Sequence, residues 1–178
     1  MAKYQKRLVT TMCPAYHHDD VVENVHAVER ERVSDVAKNL ACWADAIVAR
    51  VFDHQVLEGL AEHANIPVIN ALCNLYHPCQ ALADFVTLSE HFDDLSKVNL
   101  AYVGDGNNVS HSLMLMAATL GVNFTLVCPK QYSPSAFIFS KAQTLASASG
   151  AKLQLVNDVN DIGVQDVIYT DTWISMGN

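Results

Sequence analysis

Glycine, proline and basic residues are scarce in this sequence. Seven glycines and five prolines among 178 residues exclude a collagen-like or low-complexity chain. Eleven lysines and arginines stand against 19 aspartates and glutamates, which gives a formal net charge of −8 at pH 7. Nucleic acids and anionic membranes bind proteins through basic patches, so this charge argues against either as the main partner.

Long apolar runs and cysteine pairs are also missing. No stretch approaches the ~20 apolar residues that span a bilayer, and residues 1–20 lack the continuous apolar segment of a secretory signal. The five cysteines include no Cys-x-x-Cys pair, a pattern that fits a reducing cytosol better than a disulfide scaffold. We therefore expect a cytoplasmic protein without a membrane segment.

The residues that are present predict an α/β fold. Apolar residues make up 51% of the chain and charged residues 17%, which excludes intrinsic disorder. From residue 33 onward, segments with helical spacing alternate with short apolar segments typical of strands. Helices are predicted over 33–44, 54–64, 78–92, 109–120 and 134–148, and strands over 46–52, 66–70, 98–104, 123–129, 151–156 and 166–171. This alternation indicates βαβ crossovers and a mostly parallel sheet.

Ligands of a parallel α/β sheet bind beyond the carboxyl ends of its strands, and four segments fall at such ends. The first contains Arg50, in the predicted strand 46–52. A guanidinium in an apolar strand costs free energy unless it is paired or binds an anion. A structural ion pair with an acidic residue is the alternative to an anion site.

The second segment, His77-Pro78-Cys79-Gln80, opens the long predicted helix. A helix N-terminus offers free backbone N–H groups and the positive end of the helix dipole, which suit a phosphate or a carbonyl oxygen. His77 is able to donate to such an oxygen, and Gln80 to accept from an amide NH₂. The alternative is a capping His followed by a solvent-facing Gln.

The third and fourth segments are a loop, GDGNN (104–108), and the end of the chain from Asp171. Val109 stands where a dinucleotide fingerprint needs its third glycine, so the nucleotide interpretation is weak. Adjacent amides suit a zwitterion or a carboxylate instead, unless the segment is only a turn. Asp171 closes a predicted strand, where its carboxylate suits an ammonium group; capping a loop is the alternative.

A metal site near the N-terminus is a further alternative. The residues with metal-ligand side chains there are Cys13, His17, His18, Asp19, Asp20 and His26. Their spacing matches no clean zinc pattern, so we predict no metal. No Gly-x-Ser-x-Gly element occurs, so a hydrolytic triad is not supported.

Three segments together resemble ornithine carbamoyltransferases: HPCQALADFVTLSEHF (77–92), VGDGNNVSHSL (103–113) and DTWISMG (171–177). The stretch VSDVAKNLACWADAIVAR (33–50) resembles the part of that family just before them, and the order and spacing agree. Aspartate carbamoyltransferases, the sister family, share the HPxQ element but not the DGNN and SMG pair, which favours ornithine. The resemblance covers about residues 30–178, corresponding to the middle of the enzyme.

The resemblance implies an activity and a set of site residues. The family transfers a carbamoyl group from carbamoyl phosphate to ornithine, giving citrulline and phosphate for arginine biosynthesis, without a metal or an organic cofactor. Arg50, His77 and Gln80 match positions that bind carbamoyl phosphate, and Arg50 and His77 are the implied catalytic donors. The positions that bind ornithine are matched by Asn108, Asp171, Ser175 and Met176.

The resemblance also implies a domain organisation. It predicts an unassigned segment over 1–29, a partial carbamoyl-phosphate-type lobe with a long linking helix over 30–92, and an ornithine-type lobe with a parallel Rossmann-like sheet over 93–178. A partial lobe leaves exposed strand edges and apolar surface. The family forms trimers, so we expect a homo-oligomer.

Two family elements do not occur in the sequence: a Ser-x-Arg-Thr-Arg phosphate loop and a Cys-Leu-Pro loop. A dianionic phosphate needs several charge-assisted donors, so we expect the isolated chain to be a weak or inactive transferase. One alternative is a non-catalytic amino-acid-binding or subunit-interaction module derived from the family. The other is a nucleotide-binding α/β domain that uses the GDGNN loop.

Overall fold

A computed structural model describes the backbone of residues 8–12 and the whole of residues 31–172. The chain divides into two units, unit 1 (Met1–Asn74) and unit 2 (Leu75–Asn178). Each unit has its own parallel sheet. The predicted α/β class, with parallel sheets flanked by helices, is therefore confirmed.

Unit 1 is built on a three-stranded parallel sheet of order β1-β2-β3. Its elements in chain order are β1 (Leu8–Met12), α1 (Val33–Ala41), β2 (Ala46–Arg50), α2 (His54–His63) and β3 (Val68–Leu72). Ile47 and Ala49 are fully buried on the central strand β2. Asp53 caps α2 by accepting the backbone N–H of Gln55 at 2.9 Å, which pairs one of the free N–H groups at the helix start.

Unit 2 is built on a four-stranded parallel sheet of order β6-β5-β4-β7. Its elements are α3 (Pro78–His91), β4 (Asn99–Val103), α4 (Asn108–Leu120), β5 (Asn123–Val127), α5 (Ala136–Ser149), β6 (Leu153–Val156) and β7 (Val167–Thr170). The central strands β4 and β5 are apolar and almost entirely buried, as expected for a sheet covered on both faces. Gly121 and Gly150, with φ of +80° and +87°, end α4 and α5 in the left-handed conformation that glycine adopts without strain.

The element bounds differ from the predicted ones at two informative places. The strand predicted over 66–70 begins at Val68, because Pro67 has no N–H to donate to a sheet, although its carbonyl accepts the N–H of Ile47 at 2.9 Å. The sequence analysis leaves residues 1–29 unassigned, and β1 lies among them. β1 pairs with β2, with Thr10 opposite Val48, and such pairing cannot be seen in a local pattern.

The long helix α3 belongs to unit 2. Its apolar residues Ala81, Phe85 and Leu88 are part of the buried core of that unit. The division of the chain therefore falls between Asn74 and Leu75, whereas the sequence analysis places it between residues 92 and 93.

Two further features of the described residues concern helix length and cysteine chemistry. Within 31–172, no helix is both long and apolar enough to cross a membrane. Cys42, Cys73, Cys79 and Cys128 are free thiols, and burial raises the pKa of the Cys128 thiol.

Candidate active site

The loop after β4 is organised by the side chain of Asn107. This residue lies at the N-cap of α4, and its Oδ1 accepts the backbone N–H groups of Val109 and Ser110 at 3.0 and 2.9 Å. These are two of the donors that a helix leaves unpaired at its start. The cap therefore determines where Asn108, the first helical residue, lies.

The Asn107 amide also holds two carboxylates. Its Nδ2 donates to Oδ2 of Asp171 at 3.2 Å and to Oδ1 of Asp105 at 3.3 Å. Asp171 follows β7, which pairs in parallel with β4, so two adjacent carboxyl ends bring these residues together. The backbone N–H of Thr172 donates to the other Asp171 oxygen at 2.8 Å. Two carboxylates held on one amide attract a cation such as an ammonium group.

Tyr102 on β4 supports this arrangement. Its hydroxyl donates to Oδ1 of Asn107 at 3.3 Å, and its buried ring stacks on Tyr169 of β7 with the ring centroids 5.7 Å apart. Burial, followed by the charge of Asp171, raises the pKa of Tyr102 well above its usual value. The hydroxyl therefore keeps its proton at neutral pH and acts as a donor.

The two glycines of the loop allow close packing. A Cβ on Gly104 would lie 2.9 Å from Cε1 of Tyr102. A Cβ on Gly106 would collide with the backbone of Pro134 and lie 2.6 Å from the carbonyl carbon of Ser133. Both glycines of the GDGNN segment thus have a packing role within unit 2, without any nucleotide.

The first turn of α4 is polar yet buried. Asn108 is 8% exposed, and its carbonyl accepts the hydroxyl of Ser112 at 3.0 Å. The same hydroxyl oxygen accepts the backbone N–H of His77 at 2.7 Å. Since buried polar groups are costly unless they are hydrogen-bonded, these bonds hold a predicted ornithine residue and a predicted carbamoyl phosphate residue in one framework within unit 2.

His111, also on α4, has a structural role. Its Nδ1 donates to the carbonyl of Leu75 at 3.0 Å, and its Nε2 accepts the backbone N–H of Ser135 at 3.2 Å. One ring nitrogen donates and the other accepts, which requires the neutral imidazole. Burial lowers the pKa of His111, so neutrality is maintained at pH 7.

The start of α3 differs from the structural alternative considered for it. His77 occupies the N-cap position, with Pro78 as the first helical residue, but the His77 side chain does not cap the helix. Gln80 is half-buried, and its Nε2 donates to Oδ1 of Asp84 at 2.9 Å. A capping His and a solvent-facing Gln therefore do not describe this segment.

Arg50 ends the central strand of unit 1 and is half-buried. Among the side chains of residues 31–172, no carboxylate lies within 4.0 Å of its guanidinium. The structural ion pair considered for Arg50 is thus not found in this part of the chain. An arginine at the carboxyl end of a central strand is well placed to bind an anion.

Several predicted residues lie outside the described part of the chain. Ser175 and Met176 fall within 173–178, and the six candidate metal ligands fall within 13–30. In the remainder, no group of three or more His, Cys, Asp or Glu side chains is arranged to hold a metal ion.

The structure adds residues that the sequence analysis missed or assigned differently. Asn107 is predicted as a ligand amide, but its side chain makes internal bonds; its position between a strand and a helix is the signal of an N-cap. Asp84 has only its spacing of four from Gln80 as a signal. Tyr102 and Tyr169 carry no signal, because tyrosine in an apolar strand is ordinary.

Two family models match the chain. The model described as aspartate/ornithine carbamoyltransferase, carbamoyl-P binding domain, matches residues 11–90. The model of the Asp/Orn binding domain of the same enzymes matches residues 96–178. The first match begins at residue 11, so the similarity extends further toward the N-terminus than the sequence analysis predicts.

Individual relatives are similar over half of their length. Ornithine carbamoyltransferase from Moritella abyssi is 60% identical over 150 residues, which are 84% of this chain and 50% of that protein. The structure of ornithine carbamoyltransferase from Pyrococcus furiosus superposes with a TM-score of 0.80 at 44% identity, over 83% of this chain and 47% of that one. An N-acetyl-L-ornithine transcarbamylase, solved with carbamyl phosphate and N-succinyl-L-norvaline, gives a TM-score of 0.72 at 29% identity, over 79% and 48%. The chain thus spans about half the length of the relatives it matches.

Proposed function

This chain belongs to the aspartate/ornithine carbamoyltransferase family, and we propose that it serves the transfer of a carbamoyl group from carbamoyl phosphate to ornithine. The products are citrulline and phosphate, and the reaction needs no metal or organic cofactor. The observation that carries the proposal is the single amide of Asn107, which caps α4 and holds the Asp171 carboxylate.

The amino-acid half of the site is assigned to unit 2. The Asp171 carboxylate accepts the α-ammonium group of ornithine, and Asp105 adds negative charge beside it. Asn108, at the positive end of the α4 dipole, donates to the α-carboxylate. Ser175 and the Met176 backbone complete this half by their match to the family.

The carbamoyl phosphate half is assigned to three residues. Arg50 binds the phosphate and the carbonyl oxygen, and His77 donates to the same carbonyl oxygen. Gln80 accepts a hydrogen bond from the carbamoyl NH₂. Donors aimed at the carbonyl oxygen stabilise the negative charge that develops there in the transition state.

In the reaction, the neutral side-chain amine of ornithine attacks the carbamoyl carbon. A C–N bond forms and the carbonyl π electrons move to oxygen, where Arg50 and His77 stabilise them. The electrons then return, the bond from carbon to the phosphate oxygen breaks, and its electron pair leaves with phosphate. The amine loses one proton, which phosphate or water accepts. Holding both substrates in the reactive geometry lowers the barrier.

Citrulline formation by the purified chain tests this proposal. We expect slow turnover with carbamoyl phosphate and ornithine, abolished by Arg50→Ala and retained by Lys38→Ala, a control that removes an exposed cation from α1 in unit 1. No citrulline from a folded wild-type chain, or equal rates from wild type and Arg50→Ala, would contradict it.

A non-catalytic amino-acid-binding module is the second candidate. The specific observation in its favour is that the bonds around Asp171, Asn107 and Asn108 are made within unit 2 alone. Ornithine binding, measured by calorimetry, without citrulline formation would favour this candidate. N-acetylornithine belongs in the same titration, because one structural relative is an N-acetyl-L-ornithine transcarbamylase.

A cytoplasmic location, a role in arginine biosynthesis and a homo-oligomeric state complete the proposal. The free thiols of Cys42 and Cys79 are exposed, which suits a reducing compartment. Ile168, on the edge strand β7, is 68% exposed, and exposed apolar edges favour association. Sedimentation equilibrium measures the oligomeric state, and a monomer at micromolar concentration would contradict the last point.

A further inference from the structure

Asp84 lies one helical turn after Gln80 on α3 and bonds its side chain. Nε2 of Gln80 donates to Oδ1 of Asp84 at 2.9 Å, as the spacing of four residues along a helix permits. Oδ2 of Asp84 is buried. Tyr169 of β7 lies against this pair: burial, followed by the charge of Asp84, raises the pKa of Tyr169 to about 12.

This contact determines which end of the Gln80 amide points away from Asp84. A carboxylate only accepts hydrogen bonds, whereas an amide has a donor NH₂ at one end and an acceptor oxygen at the other. Gln80 must therefore turn its NH₂ toward Asp84, and Oε1 then points to the opposite side. Without the carboxylate, either orientation of the amide is acceptable.

We propose that Asp84 is a positioning residue that makes the site select a carbamoyl group over other acyl groups. The inference rests on the proposed function, in which Gln80 recognises the carbamoyl NH₂. The outward Oε1 accepts from that NH₂. Acetyl phosphate carries a methyl group at the same place and offers no donor, so it leaves Oε1 without a partner.

The test compares the binding of carbamoyl phosphate and acetyl phosphate by calorimetry. The variants are Asp84→Asn, which keeps the side-chain shape, and Glu90→Gln, which removes an exposed carboxylate elsewhere on α3. We expect Asp84→Asn to weaken carbamoyl phosphate binding about tenfold, the upper range for one neutral hydrogen bond, with acetyl phosphate binding unchanged. Glu90→Gln is expected to behave as wild type.

Loss of fold in Asp84→Asn would lower both affinities together, and this result overturns the selective role. Equal selectivity in wild type and Asp84→Asn overturns it as well. If the wild-type chain binds no carbamoyl phosphate, the proposed function fails, and the orientation of Gln80 is then decided by a measurement that needs no ligand.

That measurement is the NMR signal of the Gln80 side-chain NH₂, assigned by its absence in Gln80→Met. We expect a hydrogen-bonded proton in wild type and in Glu90→Gln, shifted toward the position of a free amide in Asp84→Asn. A free-amide signal in the wild-type protein overturns the proposed orientation, whatever the ligand binding shows.

Discussion

The two units finish their central strands in different ways. In unit 2, the ends of β4 and β7 carry side chains that bond each other: Asn107 joins Asp171, Asp105 and the start of α4. In unit 1, the end of β2 carries Arg50, with no carboxylate within 4.0 Å among the side chains of residues 31–172. One strand end is tied by internal hydrogen bonds, and the other holds an unbalanced charge.

This difference indicates a division of labour. Side chains held by a second layer of hydrogen bonds lose little freedom when a ligand arrives, so the unit 2 residues provide geometry. A half-buried guanidinium without an ion pair gains most when an anion neutralises it, so Arg50 provides charge. The comparison predicts that mutations in unit 2 change stability and binding together, whereas mutation of Arg50 changes binding alone.

Replacing Gly106 is the largest disturbance available to the ordered strand end. The new Cβ of Gly106→Ala would meet the backbone of Pro134 and Ser133, which cannot move as a side-chain end can. We expect unit 2 to lose about 3 kcal/mol of unfolding free energy. Hydrogen exchange of the unit 2 amides in urea measures this loss, and unit 1 amides serve as the internal reference.

Gly163→Ala is the control for this first prediction. Gly163 has φ of +69° and open space where a Cβ would lie, so the substitution introduces backbone strain alone, about 1 kcal/mol. Equal losses in Gly106→Ala and Gly163→Ala would show that the close approach to Pro134 does not hold the loop.

Arg50→Ala tests the other side of the comparison. We expect carbamoyl phosphate binding to weaken by about 10- to 100-fold, as for a lost hydrogen bond to a charged group, while ornithine binding stays unchanged. The free energy of unfolding should change by about 1 kcal/mol or less, because no ion pair is lost. Calorimetry and urea unfolding measure the two effects, and a large loss of stability would contradict the assignment.

Asn107→Ala and Asp53→Ala form a matched pair of helix caps. Each removes an N-cap side chain, from α4 in unit 2 and from α2 in unit 1, at a cost of about 1–2 kcal/mol in unfolding free energy. Only Asn107→Ala should also weaken ornithine binding, since it releases Asp171. If Asp53→Ala weakens ornithine binding equally, the loss reflects general destabilisation.

The smallest expected effect is the acid sensitivity of unit 2 through His111. Burial lowers the folded-state pKa of His111 below its ordinary value of 6.5, so the unfolded chain binds more protons between the two values. This contribution to stability is complete above about pH 6.5 and is lost as the pH falls, by at most about 1.4 kcal/mol per pH unit. Urea midpoints between pH 7.5 and 5.5, taken with buffers about half a unit apart, measure it. His111→Gln should flatten the profile, and His91→Gln, exposed at the end of α3, should not.

Much of the fold could be predicted from periodicity alone. Every helix and strand from residue 33 onward lies within a few residues of its prediction, because apolar spacing reports which face is buried. β1 could not be predicted, because Leu8–Met12 becomes a strand by pairing with β2. The placement of α3 in unit 2 depends on the packing of Phe85 and Leu88, which local spacing does not report.

The site was less predictable than the fold. Its location beyond the strands could be predicted from topology, and the residue roles from family resemblance. The internal bonds of Asn107, the support from Tyr102 and the pairing of Asp84 with Gln80 could not. Each depends on distances between side chains that lie on separate elements or turns, and a single sequence contains no such distances.

Separate NMR titrations with ornithine and with carbamoyl phosphate test the central claim most directly. The claim predicts that ornithine shifts the backbone amides of 104–110 and 171, whereas carbamoyl phosphate shifts Arg50 and residues 77–80. The two ligands added together should then yield citrulline in the same tube. Ornithine shifts confined to unit 1, or no shift at Arg50 with saturating carbamoyl phosphate, would contradict the assignment of the two halves.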